Sequence, residues 1–177
     1  MGVAAVSPVG DLVETARVGF EAGGTRSGWV NAAELVASWR ETFGLGDDAV
    51  LTAEGRRVTD ALAHACPGDV EVRGPTIATD PLEDPAWAGR LAEQSAGTAA
   101  FGAPVLMIHG RADDLVPVSS SRLVRDRLCA AGDPVTLEEL EGFDHVLTIL
   151  GRDRVDVVVD WVESRFAGVA VTDGCPL

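Results

Sequence analysis

The chain has 177 residues, 46% apolar and 24% charged, with a formal net charge of −14. That length suffices for one domain with a sizeable core, and the apolar content is that of a folded chain rather than a disordered one. All 14 basic residues are Arg, which excludes P-loop and Schiff-base lysine chemistry, and the acidic balance argues against nucleic acid as a partner because phosphates require a positive surface.

Residues 3–7 (Val-Ala-Ala-Val-Ser) predict a short buried strand ended by Pro8 and Gly10. Asp11 suits the cap of a helix reaching Glu21. Asn31 with Glu34 three residues on is a capping-box pattern, predicting a helix to Phe43 with Leu35, Val36 and Trp39 on one face. Thr52 opens another helix, with Val58, Ala61, Leu62 and Ala65 at helical spacing, stopped by Pro67 and Gly68. Residues 10–68 therefore read as a helical insert. Residues 74–102, with Pro75, Pro81 and Pro85, read as a connector holding a short helix over Trp87–Glu93.

From Pro104 the texture changes to alternating strand and helix. Val105–Ile108 is an apolar run of the kind found in strands covered on both faces. A helix is predicted over Ser119–Ala131 with Leu123, Val124, Arg127 and Leu128 on one side, ended by Gly132. Val135–Leu140 is the next strand, Gly142–His145 a loop. Asp153 starts a last helix whose Val155, Val158, Val159, Val162 and Phe166 should face inward. This alternation implies a parallel sheet with crossover helices.

Open parallel sheets carry function at the carboxyl ends of their strands. Two loops, 109–117 and 141–146, hold that position and bring Asp113 and His145 to one edge if their strands are neighbours. A carboxylate on one loop can fix the tautomer of an imidazole on the next, and the imidazole can then take a proton from a serine hydroxyl for acyl transfer. Asp113 is preferred to Asp114 for its spacing to Val116-Pro117. His109 reads as a strand-end residue and His64 as a surface one. His64 and Cys66 alone do not make a zinc site, no CxxC pair is present, and neither metal nor cofactor is expected.

His109-Gly110-x-x-Asp113-x-x-Val116-Pro117 followed by Gly142-x-x-His145 resembles the acid and histidine loops of α/β-hydrolases, in the chain order of that fold. Asp84-Pro85-Ala86-Trp87, Ala103-Pro104-Val105, Leu128-Cys129-Ala130-Ala131-Gly132, Trp161, Arg165-Phe166-Ala167-Gly168 and Cys175 are similar to the secretory lipase family, extracellular triacylglycerol lipases and esterases. The resemblance implies the C-terminal part of an α/β-hydrolase parallel sheet with a helical lid or cap insert. Residues 1–10 supply a sheet strand, 11–74 the lid and 75–177 the C-terminal half of the core. It implies catalytic roles for Asp113 and His145, a lipid or ester substrate, and extracellular localisation of a full-length protein.

The family's Gly-x-Ser-x-Gly nucleophile motif does not occur: none of Ser7, Ser27, Ser38, Ser95, Ser119, Ser120, Ser121 and Ser164 has glycine at both −2 and +2. The expectation is a chain that lacks nucleophile and oxyanion loop, is inactive alone, and self-associates through an exposed sheet edge. The competing reading is a non-catalytic hydrolase-like module that binds an apolar ligand or a partner. The first residues show neither basic n-region nor h-region, so any signal peptide would lie upstream of Met1, and no apolar run is long enough to span a membrane. Trp29, Trp39 and Trp87 could line an acyl pocket or pack the lid. The cysteines read as buried thiols, or Cys129 and Cys175 as a disulfide.

Overall fold

A computed structural model describes every residue except Asp47, Asp48, Asp173, Pro176 and Leu177. The chain forms two compact units: Met1–Thr15 with Gln94–Leu177, and Ala16–Glu93.

The first unit is built on three parallel strands in the order β1 (Val3–Val6), β2 (Val105–Gly110), β3 (Val135–Leu140). Val3 to Val6 register with Val105 to Ile108, and Val105 to Gly110 with Val135 to Leu140. β2 is buried at every position, as its unbroken apolar run requires. It extends two residues past the apolar run, so His109 and Gly110 belong to the ladder. Helix α5 (Val118–Ala130) lays Val124 and Leu128 against Val105, Met107 and Val135 to make the core. A disulfide joins Cys129 and Cys175 at the margin of this cluster. The C-terminal stretch also pairs with β3, Gly174 N–H donating to the Val135 carbonyl at 3.1 Å.

Asp11 follows β1 and caps helix α1 (Leu12–Glu21) through a 2.7 Å bond from Glu14 N–H. Its buried carboxylate is paired with Arg127 on α5. Helices α6 (His145–Leu150) and α7 (Arg152–Phe166) complete the unit. Trp161 on α7 lies over Gly2, where a β-carbon would come within 2.5 Å of the indole, so only glycine permits this approach.

The inward-facing expectation for α7 is corrected for Val155, Val159 and Phe166, while Val158 and Val162 are half-buried. None of its described residues is buried, and Val155, Val159 and Phe166 are exposed. Trp161 is half-buried as well, against Gly2, while Val155 and Val159 on the same apolar face stay open. β1 likewise is paired on one side only.

The second unit holds α2 (Arg26–Phe43), α3 (Ala53–Leu62) and α4 (Pro85–Glu93). α2 starts five residues before the predicted Asn31, because Thr25 caps it by accepting the Gly28 N–H at 3.1 Å. The apolar face then runs from Trp29 through Ala33 to Val36 and Trp39, which outweighs the capping-box pattern at Asn31. Thr52 caps α3 as its sequence predicts. Residues 75–93, assigned by sequence to the core half, fall in this helical unit because Trp87 of α4 stacks on Trp39 of α2, centroids 6.0 Å apart.

Candidate active site

Asp113 and His145 meet. The loop after β2 carries Asp113 and the loop after β3 leads to His145, the first residue of α6 rather than a loop residue. Asp144 caps that helix, accepting the Leu147 N–H at 2.7 Å, which fixes the direction in which His145 leaves the backbone. Two backbone bonds tie the loops together: Arg111 N–H to the Leu140 carbonyl at 2.8 Å, and Ala112 N–H to the Phe143 carbonyl at 3.0 Å. Gly110 makes this possible. A β-carbon there would sit 2.1 Å from the Phe143 oxygen and 2.5 Å from Thr148 Oγ1, forcing the loops apart.

His145 Nδ1 donates to Asp113 Oδ2 at 2.7 Å. The Asp113 side chain is fully buried and that of His145 one-fifth exposed. Asp113 Oδ1 accepts the backbone N–H groups of Leu115 at 3.1 Å and Val116 at 2.8 Å. His109 Nε2 lies 3.2 Å from Oδ2. Burial by itself raises the carboxyl pKa, but the bonds from His109, the Val116 N–H and His145 outweigh it and hold the group down at about 2. The acid is therefore ionised across the range where an imidazole works as a base. With Nδ1 engaged, Nε2 of His145 is the nitrogen left for proton transfer, and the carboxylate would stabilise the imidazolium that forms. Such a pair can activate a hydroxyl or a water as nucleophile.

A second charged group sits on the outer face of β3. Arg122 and Arg111 both bind Glu139, Arg111 at 2.8 Å, and these contacts, with Arg122 the stronger, bring Glu139 down to about 2 against the opposing effect of burial. At the other side, Ser7 ends β1 with φ 44°, a left-handed conformation rare for a non-glycine residue, and its buried hydroxyl has no partner among the described residues. Its neighbours lack the glycines of a nucleophile elbow.

The tryptophans are placed inside the helical unit. Trp39 and Trp87 are buried in their stack, Trp87 also bonding the Gly46 carbonyl at 2.8 Å through its ring N–H. Trp29 is half-buried beside Ala33, Val58 and Val72. Packing accounts for Trp39 and Trp87, and neither offers a ligand surface. Among the described residues no cluster of three or more His, Cys, Asp or Glu could hold a metal ion. His109 stands where the sequence places it, at a strand end beside the site and four residues before Asp113.

Residues 71–174 match the profile of the family described as secretory lipase. No curated protein matches the chain. Among solved structures, lipase A of Candida antarctica in its closed state superposes with a TM-score of 0.69 at 15% identity, over 98% of this chain and 44% of that one. A ligand-bound rice cell wall degrading esterase, LipA of Xanthomonas oryzae, superposes with a TM-score of 0.61 at 16% identity, over 89% of this chain and 49% of that one. The chain thus spans about half the length of these structures, and at such identities the likeness shows the α/β-hydrolase fold alone.

Proposed function

Since the chain belongs to the secretory lipase family, we propose that it is the acid-and-histidine portion of a serine-type lipase or carboxylesterase, with Asp113 and His145 as two members of the triad. The observation that carries this reading is the 2.7 Å bond from His145 Nδ1 to the buried carboxylate of Asp113 at the carboxyl edge of a parallel sheet. The serine and oxyanion loop lie outside residues 1–177, since no serine here stands in the nucleophile motif. The substrate class is a lipid or another carboxylic ester, and a full-length protein of this family would act outside the cell. No helix among the described residues is long and apolar enough to cross a membrane.

Residues 11–74 are the proposed lid or cap insert, on the strength of their helical character. Self-association is proposed through the open edge of β1 and the groove beside it, which Val6, Ile149, Val155, Val158 and Val159 line.

Hydrolysis tests the reading. The isolated 177 residues are expected to leave p-nitrophenyl esters intact. A chain extended through the upstream reading frame to include a Gly-x-Ser-x-Gly segment is expected to turn them over, with Asp113→Asn lowering kcat on the order of 10⁴-fold. Turnover by the isolated chain that His145→Ala abolishes would overturn the incomplete-triad reading. An extended, active enzyme indifferent to both substitutions would overturn the assignment of the pair.

A further inference from the structure

The buried imidazole of His109 stands next to the acid–histidine pair, and its role rests on the reading of that pair given above. His109 is fully buried at the end of β2. Its Nε2 is 2.9 Å from the Val116 carbonyl oxygen, which can only accept, so Nε2 carries a proton. Its Nδ1 is 2.7 Å from Ser121 Oγ on α5, whose hydroxyl can rotate to donate. The Val116 carbonyl thus requires a proton on Nε2, and Ser121 Oγ can donate to Nδ1. The same Nε2 lies 3.2 Å from Asp113 Oδ2, the oxygen that accepts from His145.

Three hydrogen bonds therefore hold the Asp113 carboxylate, and the Nε2–H of His109, bonded to the Val116 carbonyl, makes a secondary 3.2 Å contact with it. Leu115 and Val116 N–H hold Oδ1, and the two imidazoles approach Oδ2. The backbone pair fixes where the carboxylate sits. His109 adds a contact to the same oxygen that accepts from His145, so a rotation of the carboxylate away from His145 would also disturb the His109 contact. Its own position is fixed by the strand ladder and by α5, which makes it a stiff support.

We propose that His109 is a positioning residue that keeps Asp113 aimed at His145, with the Val116 carbonyl setting the tautomer that lets it do so. His109 touches no reacting atom and acts through Asp113. A histidine that merely filled the core would contribute to stability without influencing how Asp113 titrates.

Solution NMR on the isotopically labelled 177-residue chain tests this directly. The expected results are the Nε2–H tautomer at His109 in long-range proton–nitrogen spectra, a downfield Nδ1 proton on His145, and a low-pH carboxyl titration for Asp113. His109→Leu is expected to raise the Asp113 midpoint by about one unit and to move the His145 Nδ1 proton upfield. His109→Gln, whose amide can donate close to the Nε2 position, is expected to restore both. An Nδ1–H tautomer at His109, or an Asp113 titration indifferent to His109→Leu, would overturn the proposal while leaving the pair intact. Absence of any His145 proton bonded to Asp113 in the unsubstituted chain would sink the acid–histidine reading itself, and this inference with it. If His109→Leu does not fold, His109→Phe, a planar ring without a donor, carries the test. An upward move of the Asp113 midpoint supports the role; no change rejects it.

Discussion

β2 and α7 both carry runs of apolar side chains in the same unit, yet all six residues of β2 are buried and none of the described residues of α7 is. The difference lies in what surrounds them. β2 has a strand on each side and helices above it, whereas α7 lies toward β1, whose outer edge is unpaired. On the β3 side the unit is closed by α5, the disulfide and the returning C-terminal stretch. On the β1 side it presents an apolar groove. The acid–histidine pair stands toward the closed side, supported by backbone bonds, which is why it is fully formed although no nucleophile motif accompanies it. A half-covered sheet can complete a site wherever both contributing strands have their neighbours.

Breaking the closed side should have the largest effect. The disulfide closes a 46-residue separation; replacing both Cys129 and Cys175 by Ser is expected to destabilise the protein by about 4 kcal/mol on the chain-entropy estimate, measurable by urea denaturation. A loss below 1 kcal/mol would mean that the C-terminal stretch is held by other contacts.

Acid should act next, at the site itself. The Asp113 carboxyl is depressed in the folded protein from its ordinary 3.8 to about 2. Its stabilising contribution is thus full above the ordinary value and is lost as pH falls from about 4 toward 2, an effect of roughly 2 kcal/mol. Glu139 titrates in the same direction. Denaturation midpoints followed from pH 6 to pH 2 should fall with a component that Asp113→Asn removes. A pH-independent midpoint would mean that the carboxylate is not held by these donors.

The open side should respond least. Val155→Ser with Val159→Ser is expected to change stability by no more than about 0.5 kcal/mol, because neither side chain is buried, and to reduce self-association in sedimentation velocity. A large destabilisation would show that this face is covered in solution.

Much of the fold can be read from local pattern. The strand at β3 has the bounds its alternation predicts, and Thr52 and Asp11 start the helices they were expected to cap, since capping is a short-range property of the side chain. Asn31 misleads because its capping-box spacing lies inside a longer amphipathic face that Thr25 opens. α6 was missed because six residues are too few to establish a helical period, so its start is set by Asp144 and by the Gly110 contact beneath it. The loops bearing Asp113 and His145 are legible as candidates from their place after two strands. His109 is legible as a strand-end neighbour of the site, but its partners Val116 and Ser121 are not, because they depend on how the loop and α5 close around its ring.

By itself the sequence determined the alternation of strand and helix, the family motif around His109 and His145, and the lack of a Gly-x-Ser-x-Gly serine, all of which are properties of neighbours along the chain. Tertiary structure alone decided that Asp113 and His145 lie within hydrogen-bonding distance, that His109 approaches the same carboxylate oxygen, and that Val155 and Val159 of α7 stay exposed. Those outcomes depend on which strands are adjacent and on what packs above them, and strand adjacency brings together residues that hydrophobic periodicity leaves unrelated.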